Sequence, residues 1–191
     1  MWQRLGDIAQ IFTGYAFRGS IDEDHEGDLT VFQIKDVSAG RLDVESALRI
    51  RDRGYERHYL MSGDLLFQSR GSQHPVAVYV AQIRCIAAAG LHVVRADSSR
   101  VRPEYLAFTL NHANSQAKLR GGVRTSSAPF ISVSDLREFS VPVPSLDVQQ
   151  RLIEIDQLQQ REQALIAQLS ALRQTYLDTL TWQAATAGSK E

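Results

Sequence analysis

Val141-Pro142-Val143-Pro144-Ser145-Leu146-Asp147 opens the stretch, running on to Trp182, that decides the fold. Proline lacks the backbone donor and fixes φ, so two prolines at alternate positions hold the chain extended up to Pro144. Ser145 is a good helix N-cap, and Asp147 falls in the first turn, where the helix dipole favours negative charge. No Gly or Pro follows until Gly188. Ile155, Leu158, Glu162, Leu165, Leu169, Leu172, Tyr176 and Thr179 recur at alternate steps of three and four, the a/d seam of a coiled coil. Leu152, Ile166, Leu177 and Leu180 widen the stripe toward more than one neighbour. The spacing predicts one helix over residues 145–183, of which some thirty-five residues at about 1.5 Å each make a rod of roughly 50 Å.

An apolar seam of that length must be buried. Folding back on its own domain is one solution. A spacer or dimerisation rod is the other, favoured because the seam is long, Gly-free and strictly phased. Its dimerisation face is Ile155, Leu158, Glu162, Leu165, Leu169, Leu172 and Tyr176. Glu162 is costly there if buried alone, whereas an antiparallel partner offers it Arg161 or Arg173.

Working outward from the rod, residues 1–144 read as one domain and 184–191 as a flexible tail. With 191 residues, 43% of them apolar, the chain can hold one cored domain plus the rod. No run suits a membrane span and no signal-peptide pattern opens the chain. Cys85 stands alone beside Ile86 and Ala87, a buried thiol suited to a reducing cytoplasm. The fold class is α+β, a mixed or antiparallel sheet with a few helices followed by the long one. Thr30 to Lys35 alternates as a half-buried strand, and Leu65-Leu66-Phe67 reads as a buried one. Val76 to Val80, Arg84 to Ala89 and Leu91 to Arg95 supply further strands. Pro103-Glu104-Tyr105-Leu106 starts a helix running to about Leu119, and Ser132 with Asp135 forms a capping box.

Three polar loops carry the candidate binding chemistry. Thr13 to Asp28 presents Tyr15, Phe17 and Arg18, suited to base or sugar contact or equally to anchoring the loop on the core. Gln68 to His74 gathers Gln68, Ser69, Arg70 and Gln73 after a buried strand, where Arg or Gln suits a base edge. Arg120 to Pro129 holds Arg120, Arg124, Thr125 and Ser126 with two glycines and no acid, suited to phosphate. The formal net charge of −1 argues mildly against nucleic acid for the chain as a whole. No P-loop, dinucleotide fingerprint, nucleophile elbow or metal-ligand spacing is present, so a reader or an adaptor fits better than a catalyst.

In this order the segments resemble the specificity (S) subunits of type I restriction–modification systems. Leu5-Gly6-Asp7-Ile8 with Thr13-Gly14 resembles the family's domain start. Gly63-Asp64-Leu65-Leu66 through Arg70-Gly71 resembles its central strand and loop. Val101 to Leu110, with Pro103-Glu104-Tyr105-Leu106, resembles its helix after the last strands, and Ile131 to Leu136, then Val141-Pro142-Val143-Pro144 with Gln149-Gln150-Arg151-Leu152-Ile153, resembles the passage into its spacer helix. Val148 departs from the pattern, standing where the family usually has an acid.

The resemblance implies a non-catalytic subunit whose single recognition domain reads half of a split site in double-stranded DNA. It implies docking to methyltransferase (M) subunits that use S-adenosylmethionine, with no cofactor on this chain, and to a restriction (R) subunit where cleavage accompanies methylation. One domain where full subunits have two implies a homodimer reading an inverted repeat with a fixed gap. The rival reading is a protein-interaction adaptor that recruits its partner through the rod.

Overall fold

The computed structural model describes residues 1–80, 82–122 and 130–187, which divide into two compact units, 1–150 and 151–191. In the first unit, β2 (Ala9–Thr13), β7 (Asp64–Gln68), β8 (Val76–Val78) and β10 (Leu91–Ala96) form an antiparallel sheet in the order β2-β10-β7-β8. A second sheet sets β3 (Leu29–Phe32) between antiparallel β6 (Leu48–Ile50) and parallel β9 (Cys85–Ala87). The short β4 (Val37–Ser38) and β5 (Arg41–Leu42) pair with each other. The class expected from the sequence is the one observed.

Two cores explain why these strands read as apolar runs. Phe32, Leu66, Ala77, Tyr79, Cys85, Leu91 and Val93 fill one. Leu29, Val31, Ile50, Ile86 and Ala88 fill the other, with Tyr15, Phe17, Tyr55 and Tyr59 against it. β3 therefore buries all four residues, and the half-buried strand expected from Thr30 to Lys35 is corrected. Its alternation is real, but each face meets a different core. Beyond Phe32 the chain turns, with Asp36 accepting from the Gln33 N–H at 2.8 Å.

The helix expected from Pro103 to about Leu119 is two helices, α2 (Pro103–Asn111) and α3 (Ala113–Gly122). At the end of α2, Asn111 works as a strand neighbour. Its amide accepts from Val76 N at 2.9 Å and donates to Val76 O at 2.8 Å. Gln116 does the same for His74, at 3.0 and 2.9 Å. Side-chain amides thus satisfy the backbone groups that an edge strand otherwise leaves open. His112 then leaves the helix and its Nδ1 accepts from Asn114 N at 3.2 Å.

α1 (Leu5–Ile8) and β1 (Trp2–Arg4) open the chain, and β1 pairs antiparallel with β11 (Ser140–Pro142). α4 (Val133–Glu138) starts on the expected capping box, Ser132 with Asp135. Gln149 is fully buried: its carbonyl accepts from Arg102 N at 2.8 Å, and its amide donates to the carbonyls of Arg100 and Pro144. Those three bonds give a structural reason for a glutamine at this point. The second unit is the body of α5 (Leu146–Ala187), 42 residues without interruption. No helix among the described residues is long and apolar enough to cross a membrane.

Candidate nucleic-acid interface

One end of the four-stranded sheet gathers the loops. Leu91 lies opposite Gln68, and His92 lies opposite Thr13, so the ends of β7 and β2 flank the start of β10. The turn from β9 to β10 is tied on both sides. Gly14 N donates to Leu91 O, and Ala89 N to Tyr15 O; on the other side Ser69 N donates to Gly90 O. Gly14 is required there: a Cβ would meet Ala88 O at 2.4 Å. Ile131 N donates to Ser69 O, and Arg70 bridges Phe130, so the chain returning from the third loop lies beside the second.

The candidate residues divide by orientation. Arg70 and Gln73 are exposed, and the Gln68 amide donates to Arg70 O at 2.7 Å, bracing the loop backbone. Ser69 is fully buried, its hydroxyl donating to Gly90 O at 2.7 Å, so this side chain holds the loop and does not face outward. His74 is also turned inward. Tyr15 packs edge-on against Phe17, Tyr55 and His58 with centroids 4.8 to 5.0 Å apart, the anchoring alternative for this loop. Arg18 is exposed on a cavity of about 1000 Å³ shared with Asp22, Glu23, Asp24, Glu26 and Arg51. Arg51 donates to Asp24 at 2.6 Å and holds its carboxyl below the usual range, so both charge signs meet there. Arg120 is exposed near the end of α3. Arg124, Thr125 and Ser126 lie outside the described residues.

Phe130 escaped the sequence reading. It is 44% exposed, and the Arg70 guanidinium lies over its ring, 5.4 Å from the centroid. Cation–π contact of this kind contributes about 0.5–1 kcal/mol at an exposed site. The only signal in the sequence is an aromatic directly after the basic loop.

Behind Phe130 lies a buried aromatic stack. Phe67 is sandwiched between His74 at 5.6 Å and His92 at 6.3 Å, and His92 meets Phe130 edge-on. His74 Nδ1 bonds Gln68 O at 2.9 Å, and His92 Nε2 bonds Ile131 O at 2.8 Å. Each nitrogen is thereby the protonated one, since a carbonyl only accepts. The other ring nitrogens, His74 Nε2 and His92 Nδ1, have no partner among the described residues. Burial lowers both imidazole pKa values, and Arg120 adds to the effect at His74.

A pH dependence follows. The unfolded chain takes up protons at these histidines near pH 6.5, while the folded protein does so only at lower pH, so stability falls as pH drops through that window. The denaturation midpoint should fall between about pH 7 and 5.5, and less steeply in His92→Gln. Asp36, whose pKa burial raises, has the opposite slope, which is why the variant comparison is needed. Equal slopes with and without His92 would contradict its buried neutral state.

Residues 1–171 match the family described as type I restriction modification DNA specificity domain, and the chain belongs to that family. Solved structures with the same fold include a chain from a study of complex assembly and conformational transition in the type I R-M system. It is 23% identical with a TM-score of 0.64, over 86% of this chain and 39% of the other. The HsdS subunit from Thermoanaerobacter tengcongensis is 22% identical with a TM-score of 0.57, over 86% and 38%. The type I restriction-modification system S subunit from M. genitalium is 11% identical with a TM-score of 0.57, over 81% and 37%. The chain thus spans a little under two fifths of each of these longer chains. No curated protein matches it.

Proposed function

We propose that this chain reads double-stranded DNA as the specificity component of a type I restriction–modification methyltransferase complex, carrying one recognition domain and one spacer helix. The observation that carries the reading is the exposed Arg70, whose guanidinium lies over the Phe130 ring, 5.4 Å from its centroid, at the sheet end where four chain segments are hydrogen-bonded together. The planar fork of an arginine guanidinium suits the paired acceptors of a guanine edge. Arg70, Gln68 and Gln73 face bases in this reading, while Ser69 supports them from inside. Tyr15 and Arg18 form the second contact, and Arg120, Arg124, Thr125 and Ser126 meet phosphates. Two copies paired through α5 read an inverted repeat with a fixed gap. The chain performs no bond chemistry; methyl transfer belongs to a partner subunit that binds S-adenosylmethionine, and this chain's formal net charge of −1 is compensated by partners that share the DNA.

Binding to duplex DNA in the presence of a methyltransferase subunit, followed across salt concentration, tests the assignment of the third loop. Arg124→Ala is expected to weaken all sequences alike and to flatten the logarithmic salt slope by about one. A change in sequence preference would place Arg124 at a base instead.

A further inference from the structure

We propose that His92 is a positioning residue for sequence reading: through its hydrogen bond to Ile131 O it holds Phe130 beneath Arg70. The inference rests on the reading above, in which Arg70 meets a base, and adds to it a residue that touches no DNA.

The strand β10 places the ring. Leu91 and Val93 enter the core that holds Phe32 and Tyr79, so alternation along the strand turns His92 to the other face of the sheet, directly across from Phe67. There Nε2–H donates to Ile131 O at 2.8 Å, and the imidazole meets the Phe130 ring edge-on at 6.1 Å. Ile131 N donates to Ser69 O at 2.9 Å, so Ile131 is tied on one side to the residue before Arg70 and on the other to β10. Phe130, one residue earlier, is bridged to Arg70 and lies under its guanidinium. The contacts therefore run from His92 through Ile131 and Phe130 to Arg70, from a fully buried ring to an exposed cation.

Core packing does not account for this histidine. His92 stands among Leu91, Val93 and Val94, and an apolar side chain there would need no partner. The imidazole leaves Nδ1 buried and without a partner among the described residues. An orphaned buried polar atom costs at least as much as one hydrogen bond contributes, so packing alone favours an apolar residue. What His92 supplies, and an apolar residue does not, is a donor to Ile131 O.

The loop that carries Arg70 is closed without His92. His74 Nδ1–H donates to Gln68 O, the Gln116 amide pairs with both backbone groups of His74, and Ser69 donates twice to Gly90 O. Loss of the His92 donor should leave this loop standing and loosen the ring beneath its arginine. Discrimination between sequences should then fall while general affinity for DNA is kept.

Equilibrium binding by the full chain with a type I methyltransferase subunit tests this on two duplexes, one that the unsubstituted chain enriches from a random library and one unrelated. His92→Phe keeps a flat ring but no donor. It should lower the ratio of the two affinities about 2- to 10-fold, the worth of one hydrogen bond, with affinity for the unrelated duplex unchanged. His92→Gln returns a donor near the place of Nε2 and should recover most of the ratio. In an Arg70→Ala background His92→Phe should cost nothing further, because both changes remove the same contact. Unfolding midpoints check that each variant is folded, and His92→Asn, too short to reach Ile131 O, takes the place of His92→Phe if that variant is not. A parent-like ratio without the donor, equal weakening on both duplexes, a glutamine variant as poor as the phenylalanine one, or additive losses with Arg70→Ala would each overturn the positioning role while base reading by Arg70 stands. Arg70→Ala keeping the parent ratio, or no duplex being enriched, overturns that reading and the positioning role with it.

Discussion

Asp64→Ala is expected to destabilise the globular unit by about 3–5 kcal/mol, the usual cost of removing one partner from a buried ion pair. Asp64 is 1% exposed, and its carboxylate accepts from Arg95 Nε and Nη2, both at 2.7 Å. The two residues are direct cross-strand partners on β7 and β10, so the sheet itself fixes the two-pronged geometry. One oxygen also accepts from Met61 N at 2.8 Å, closing the turn in which Gly63 adopts φ of +92°. The hydrogen bond to Asp64 raises the Arg95 pKa, and the guanidinium lies over Phe12, 5.5 Å from the ring centroid. Alanine would leave that cation without its carboxylate and an amide N–H without its acceptor. For a domain of this size the midpoint of thermal unfolding should fall by about 10 °C. Asp64→Asn keeps an acceptor for Met61 and should lose less. A loss under about 1 kcal/mol for alanine would mean the pair behaves as a solvated surface bridge.

Arg70→Ala is expected to cost about 1–3 kcal/mol of discrimination, roughly 5- to 150-fold, between the preferred duplex and an unrelated one. Affinity for the unrelated duplex should hardly change, and the salt slope should stay close to that of the parent, because a base edge carries no condensed counterion. Arg70→Lys should recover little, since an ammonium lacks the planar fork. Phe130→Ala keeps the guanidinium but removes the ring beneath it, so a smaller loss of discrimination in the same direction is expected. Titration of both duplexes at two salt concentrations separates the outcomes. Uniform weakening with a flatter slope would move Arg70 to the phosphate group of contacts.

What the sequence shows depends on how far apart the partners lie. The rod, the extended Pro142 to Pro144 approach, the capping box at Ser132 and the buried Cys85 all follow from neighbours a few residues away. The break at His112 does not: the last residue of α2, Asn111, spends its side-chain amide on Val76, 35 residues earlier. β3 looked half-buried because alternation cannot show that a second core covers its other face. The site was legible as loops more than as side chains. The Gln68 to His74 and Thr13 to Tyr15 segments do converge on the β9–β10 turn, yet Ser69 and His74 point inward to hold it. Phe130 matters through Arg70, 60 positions away in the chain, and no local pattern reveals that. The Asp64–Arg95 pair was hidden for the same reason: its two halves are ordinary charged residues until β7 and β10 align.

The most direct measurement is selection from a random duplex library by this chain together with a type I methyltransferase subunit. Enrichment of an inverted repeat with one constant gap is the expected result, joining sequence reading to a two-fold pair of identical heads. Enrichment of a single unpaired half would retain the reader and contradict the homodimer. No enrichment even at low salt would contradict DNA reading altogether, leaving the rod as the docking element of an adaptor.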